Sequence, residues 1–242
     1  MDVPEVSRYS ALLAFFRRHA TSVEVHRGEV IVEANAVLAG MFYIEAGFVK
    51  AYVSNARGDQ HLHMIYGPGE YFPLLYSERR ARRGVTYEAL VNCQLLELNS
   101  AKLESALRTR RQLSLEMIEL AAEQFAISLD RINSLQYRFA RERLIDCLLY
   151  LAQRFGVASG AGYEIIVRIS HQALANKVNL SRESVSREID RLIRKGLIQV
   201  RDGKIVLVDV PALRAQLPET DDVRMGDWGL PLTPDIENNS IL

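Results

Sequence analysis

Four residues late in the chain have the types and spacing for recognition chemistry: Arg182, Glu183, Ser186 and Arg187. They lie in VNLSRESVSREIDRLIRKGLIQV, Val178 to Val200. The arginines offer planar forks of donors, the glutamate accepts, and the serine can do either. Val185, Ile189, Leu192 and Ile193 follow at i, i+4, i+7 and i+8, so they form one apolar helical face. The polar four then make a compact patch near the N-terminus of the same helix. A helix that only needed solvation would more often scatter Lys and Glu.

The neighbouring elements say what that patch can face. A helix, ARERLIDCLLYLAQRFG, ends at Gly156, and the strand YEIIVRI follows. SHQALANKVNLSRESVSREIDRLIRKGLI then reads as two helices, with Ser170 and Ser181 placed as N-caps. Asn179 suits the left-handed turn between them, and Ala175 is small enough for a close crossing. IQVRDGKIVLVDV is two strands around Asp202-Gly203, a strong two-residue hairpin signal. Helix, strand, helix–turn–helix and hairpin is the order of a winged helix–turn–helix, whose second helix enters the DNA major groove.

In that setting Arg182 and Arg187 can fork onto guanine, Glu183 can accept from the cytosine amine, and Ser186 can touch base or phosphate. His171, Gln172, Ser181, Arg201 and Lys204 fall where the DNA backbone runs, and such contacts position without specifying. The competing reading is an intramolecular salt-bridge lattice for the first group and ordinary solvated residues for the second.

Charge agrees with a polyanion partner. The net charge of the 242 residues is zero, but residues 168–217 hold ten bases against five acids. Residues 218–242 hold six acids and one base, a Pro-bearing tail that reads as loosely ordered, with Trp228, Leu230 and Leu232 able to dock elsewhere. No apolar run approaches the roughly 20 residues of a membrane span. The N-terminus has early acids and no small-residue cleavage site, so the expectation is a cytoplasmic protein. No P-loop, dinucleotide fingerprint or Ser/His/Asp set appears, which argues against an enzyme.

Residues 23–98 read as many short strands, EVIVEA, MFYIEAGFVKAYVS, QHLHMIY and CQLLELN among them, with NARGD as a hairpin loop. The short helix ALLAFFRRHA precedes them. From about Ser100 to Tyr137 no Gly or Pro occurs, which predicts one long helix. Along it Ile118, Phe125, Ile132 and Phe139 recur every seven residues, as do Ala121, Ser128 and Leu135. That is a seam for pairing with a second copy; the alternative is a helix laid on its own sheet. The expected fold is α+β: a jelly-roll-like β-roll sensor over 1–110, a dimerisation helix over 111–138, a winged helix–turn–helix over 139–217 and an acidic tail over 218–242.

The run from Ser181 to Arg187, SRESVSR, resembles the helix–turn–helix motif of Crp/Fnr transcription regulators without a gap, and GEVIVEANAVLAGMFYIEAGFVKAYVS resembles the opening of their β-roll. The resemblance spans about residues 10–210. It implies a homodimer on a palindromic double-stranded DNA site, RNA polymerase as a protein partner, and a small effector in the β-roll, with cAMP or cGMP as candidates. It also implies a phosphate-binding cassette. Gly69 and Glu70 match its start, Arg83 its arginine, and Gly84 falls where a hydroxyl residue belongs. Arg79, Arg80, Arg82 and Arg83 suit an anion, though four arginines so close together are more often an exposed loop. Ser128 falls near the helix hydroxyl offered to the base. His61 and His63 share a strand face, but two His make no closed metal site. Cys93 and Cys147 read as small core hydrophobes. The alternative function is a ligand-binding module whose winged domain serves protein assembly in place of DNA.

Overall fold

Leu12, Leu13, Phe15 and Phe16 put an apolar stripe on α1 (Ser10–His19), and that stripe is buried. The computed structural model describes residues 9–36, 39–56, 58–74, 84–160 and 162–218. The chain divides into two compact units, Met1–Phe125 and Ala126–Leu242.

Among the described residues of the first unit eight strands follow α1: β1 (Thr21–Val25), β2 (Val30–Val32), β3 (Gly40–Ala46), β4 (Val49–Ser54), β5 (Gln60–Tyr66), β6 (Tyr71–Phe72), β7 (Val85–Ala89) and β8 (Cys93–Asn99). They form two four-stranded sheets, β1-β8-β3-β6 and β2-β7-β4-β5, with antiparallel pairing throughout. The expected NARGD loop joins β4 to β5, where the Asn55 side chain accepts the Asp59 N–H at 2.9 Å. Alternation gives each sheet two faces. Met41, Tyr43, Tyr71, Leu96 and Leu98 pack with α1, while Phe42, Phe72, Tyr66 and Tyr87 stack between the sheets.

The expected single helix from Ser100 is two. α2 (Ser100–Thr109) is N-capped by Asn99, and α3 (Arg111–Ser134) follows a break at Arg110, whose backbone is extended. The reason is packing. Leu103 and Ala106 of α2 and Leu113 and Leu120 of α3 all enter the core shared with α1, and the break lets both helices turn an apolar stripe toward it. α3 ends at Ser134, so Leu135 and Phe139 lie beyond the helix and the heptad stops short of the expected three repeats.

The N-terminus of α1 has no local side-chain cap. Its donors are met by the buried Glu116 of α3, which accepts from Ala11 N at 3.1 Å and Leu12 N at 2.7 Å. Tyr9 donates its hydroxyl to Glu123 one turn pair further along.

The second unit holds α4 (Ala140–Phe155), β9 (Gly156–Ser159), β10 (Gly162–Ile165), α5 (His171–Val178), α6 (Arg182–Arg194), β11 (Ile198–Arg201), β12 (Lys204–Leu207) and α7 (Val210–Arg214). Its sheet order is β11-β12-β10-β9. Gly156 ends α4 in an extended conformation and leads straight into β9; a Cβ there would collide with the Ala152 carbonyl. The expected strand YEIIVRI shortens to its first residues, since Ile166 leaves the ladder to donate to the Phe155 carbonyl at 2.9 Å. Leu174, Ala175 and Val178 of α5 pack with Val185, Ile189 and Leu192 of α6, all buried. Ile193, assigned by spacing to the same face, is 39% exposed.

Candidate nucleic-acid interface

Local chemistry sets the position of α6. Asn179 adopts the left-handed conformation at φ 53° and ψ 54°, which turns the chain between α5 and α6. Ser170 accepts from Ala173 N and Ser181 from Ser184 N, each at 3.1 Å, so both helices start on serine caps. With Val185, Ile189 and Leu192 fixed in the core, the opposite face of α6 is held outward.

Arg182, Glu183 and Arg187 are exposed on that face and Ser186 is half-buried beside them. Among the described residues Arg182, Glu183 and Arg187 form no ion pair; the pair on α6 is Arg191–Glu188 at 3.9 Å. Arg187 instead donates to Ser184 Oγ at 3.2 Å. A lattice of salt bridges is therefore not what these side chains make. Hydrogen bonds from the Glu183 backbone N–H and the Ser181 hydroxyl, and the nearby arginines, hold the Glu183 carboxyl below its ordinary pKa. It is an acceptor at neutral pH.

His171, the first residue of α5, places Nδ1 2.8 Å from Ser186 Oγ and so joins the start of α5 to the middle of α6. Gln172 is exposed and donates to Asn176 one turn along. At the wing, Asp202 and Gly203 both take positive φ, 49° and 75°, the geometry of a two-residue hairpin. Arg201 is exposed and its guanidinium donates twice to Gln199 Oε1, at 3.2 and 2.7 Å. Lys204 is paired with Glu164 on β10 at 2.6 Å, a partner that sequence reading had missed. A groove along α6 is lined by Arg187, Glu188, Asp190, Arg191 and Arg194, which adds two guanidinium groups to the basic side of the helix.

One base of the basic segment belongs to the core. Lys177 of α5 is buried, its Nζ 4.8 Å from the centre of the Tyr150 ring. Burial, with Arg131 and Arg154 nearby, pushes its pKa down to about 8. Cys147, buried in α4 as expected, has its thiol pushed up to about 11 by burial.

Of the expected effector residues, Gly69, at φ 88°, and Glu70 form the turn between β5 and β6. Glu70 Oε2 accepts from Gly67 N at 2.6 Å, and the Glu70 carbonyl accepts from Ile44 N at 3.0 Å. The pair thus ties its own turn to β3. Arg83, with Arg79, Arg80 and Arg82, lies outside the described residues, as does the acidic tail from 219 with Trp228, Leu230 and Leu232. Ser128 is half-buried on α3 in the second unit. Gly84 has no hydroxyl. His61 and His63 are both exposed on β5, and no group of three metal-ligating side chains occurs among the described residues.

The sequence pattern of the cyclic nucleotide-binding domain matches residues 22–110, and that of the Crp-like helix-turn-helix domain matches residues 142–216. The chain belongs to the Crp/Fnr family of transcription regulators. This Crp/Fnr protein is 23% identical over 194 residues to the transcriptional regulatory protein btr of Bordetella pertussis, covering 79% of each chain. It is 22% identical over 196 residues to the CRP-like cAMP-activated global transcriptional regulator of Mycobacterium tuberculosis, covering 81% of this chain and 87% of that one. Its fold is similar to that of FixK2 from Bradyrhizobium japonicum, with a TM-score of 0.74, 20% identity, and coverage of 84% and 99% of the two chains. The α+β architecture, sheet domain first and helix–turn–helix last, is that of the family.

Proposed function

We propose that this Crp/Fnr regulator reads double-stranded DNA as a homodimer, with Arg182, Glu183, Ser186 and Arg187 on base edges and His171, Gln172, Ser181, Arg201 and Lys204 on the backbone. The observation that carries this is the face of α6: exposed, capped, backed by a fixed core, and with no ion pair among its three charged readers. The working division is a β-roll over 1–110, a dimerisation helix over 111–138, the winged domain over 139–217 and the tail over 218–242. RNA polymerase is the protein partner that transcription control requires, and the cytoplasm is where DNA and polymerase are found.

The dimer seam runs through Ile118, Ala121, Phe125 and Ile132. Ile118, Phe125 and Ile132 are 64%, 65% and 57% exposed, at a spacing of seven. An apolar stripe left open on a helix calls for a partner helix. Leu135, which the spacing also places on the seam, would extend it past the helix end.

A small effector bound in the β-roll controls the DNA-bound state. A cyclic nucleotide is the first class to test, given the domain match over 22–110. Gly69, Glu70, Arg83 and Ser128 are its candidate contacts. Glu70 has two carboxylate oxygens, so it can keep the Gly67 N–H on Oε2 and still accept from a ribose hydroxyl. The test is recovery of genomic fragments on the purified protein, with and without cAMP or cGMP, followed by sequencing. Fragments sharing an inverted repeat are expected. Recovery without a shared sequence would leave protein assembly as the role of the winged domain.

A further inference from the structure

The wing carries two cations that its strand pairing does not need. Arg201 stands directly opposite Lys204 across β11 and β12, and like charges opposite one another on a sheet are unfavourable. Gln199 stands opposite Val206 on one side and Glu164 opposite Val206 on the other. Alternation therefore puts Gln199, Arg201, Lys204 and Glu164 on one face. Each cation has found a partner there, but of different kinds. Arg201 donates to the neutral amide of Gln199. Lys204 lies 2.6 Å from the Glu164 carboxylate, with the two side chains only 31% and 21% exposed.

We propose that Glu164 is a built-in counter-ion that limits the wing's hold on DNA phosphate. In the free protein its carboxylate occupies the place on the Lys204 ammonium that a phosphate oxygen takes in the complex. The proposal rests on the reading of Lys204 as a backbone contact. To give that place to a phosphate oxygen Lys204 must loosen its hold on Glu164, so the lost ion pair offsets part of what the phosphate contact gains. A lysine that brings its own carboxylate also replaces less of the condensed counterion charge than a bare one. Arg201 contributes its whole charge and Lys204 only part. Glu164 thereby sets the sequence-independent part of the affinity and leaves base reading on α6 untouched.

The experiment uses full-length wild type, Glu164→Gln, Lys204→Ala and the double variant. Each is titrated by fluorescence anisotropy onto a duplex of random sequence over a range of salt. Glu164→Gln is expected to bind about fivefold tighter per wing, the effect of one unit charge at about 4 Å in a water-like dielectric. Its log–log salt slope should steepen by up to about 0.9 per wing. The double variant should match Lys204→Ala. If Lys204→Ala weakens binding but Glu164→Gln does not tighten it, the counter-ion role is overturned and the wing reading stands. If Lys204→Ala changes nothing, the wing reading itself fails and takes the proposal with it. A gain from Glu164→Gln that persists in the double variant also overturns it, because the charge then acts without Lys204. Should Glu164→Gln not fold, Glu164→Asp draws the carboxylate back from Lys204 and must shift affinity the same way by less.

Discussion

Glu183 sets base discrimination in the proposed reading, because a carboxylate accepts from cytosine and repels phosphate. Its own backbone N–H and the Ser181 hydroxyl keep it ionised below its ordinary pKa, so the acceptor persists as pH falls somewhat below neutral. Glu183→Ala is expected to blur one symmetric pair of operator positions at a cost of about 1–3 kcal/mol per half-site. Competition binding with every substitution at those positions measures it; an unchanged preference would move the reading to the arginines alone.

Lys177 makes a different residue-scale prediction. Its pKa is about 8 in the fold against 10.5 in the unfolded chain. Below pH 8 both states hold the proton and the fold carries a buried charge. From 8 to 10.5 the unfolded chain binds more protons, so this group's contribution rises with pH. Lys177→Met should therefore melt above wild type at pH 7, and the gap should narrow between pH 8 and 10. Cys147, pushed up to about 11, changes the absolute curves in the opposite sense, so the difference between the two proteins is the quantity to follow. A gap that stays constant with pH would show that Lys177 is not buried as a charge.

These residues also show what a sequence reveals. Ser170, Ser181, Asn179 and the Asp202-Gly203 turn act on neighbours within a few positions, and all were readable from spacing. Lys177 counted as one more surface base, because its burial depends on α4, not on α5. Lys204 looked like a free cation, because Glu164 is 40 positions away.

At the scale of elements the same rule decides the helices. Nothing between Ser100 and Tyr137 breaks a helix by residue type, yet Arg110 is extended so that α2 and α3 can both reach the α1 core. The strands β1 and β7 lay in the expected strand-rich region but carried no segment of their own in the pattern. Glu116 is an element-scale device, a carboxylate of α3 that caps the distant α1. Glu116→Ala leaves two buried or part-buried N–H groups without it. The cost expected in chemical denaturation is about 1–3 kcal/mol per unsatisfied donor. A loss below about 0.5 kcal/mol, the range of ordinary surface substitutions, would mean that water or a neighbour takes over the cap.

The seam belongs to α3 alone. Phe125→Glu puts two like charges on the axis of a paired helix, which a desolvated contact tolerates poorly. Light scattering should then report a monomer or an aggregate. A stable dimer would place the contact elsewhere on the chain.

For the whole molecule, two matched domains and a shared order of elements establish the family. The central claim is that α6 reads bases while the wing holds phosphate. Selection of binding sites from random duplexes, with wild type and Lys204→Ala, tests it most directly. Wild type should return an inverted repeat with half-sites about one helical turn apart, and Lys204→Ala the same motif at lower affinity. Selection of no motif by wild type would contradict the account.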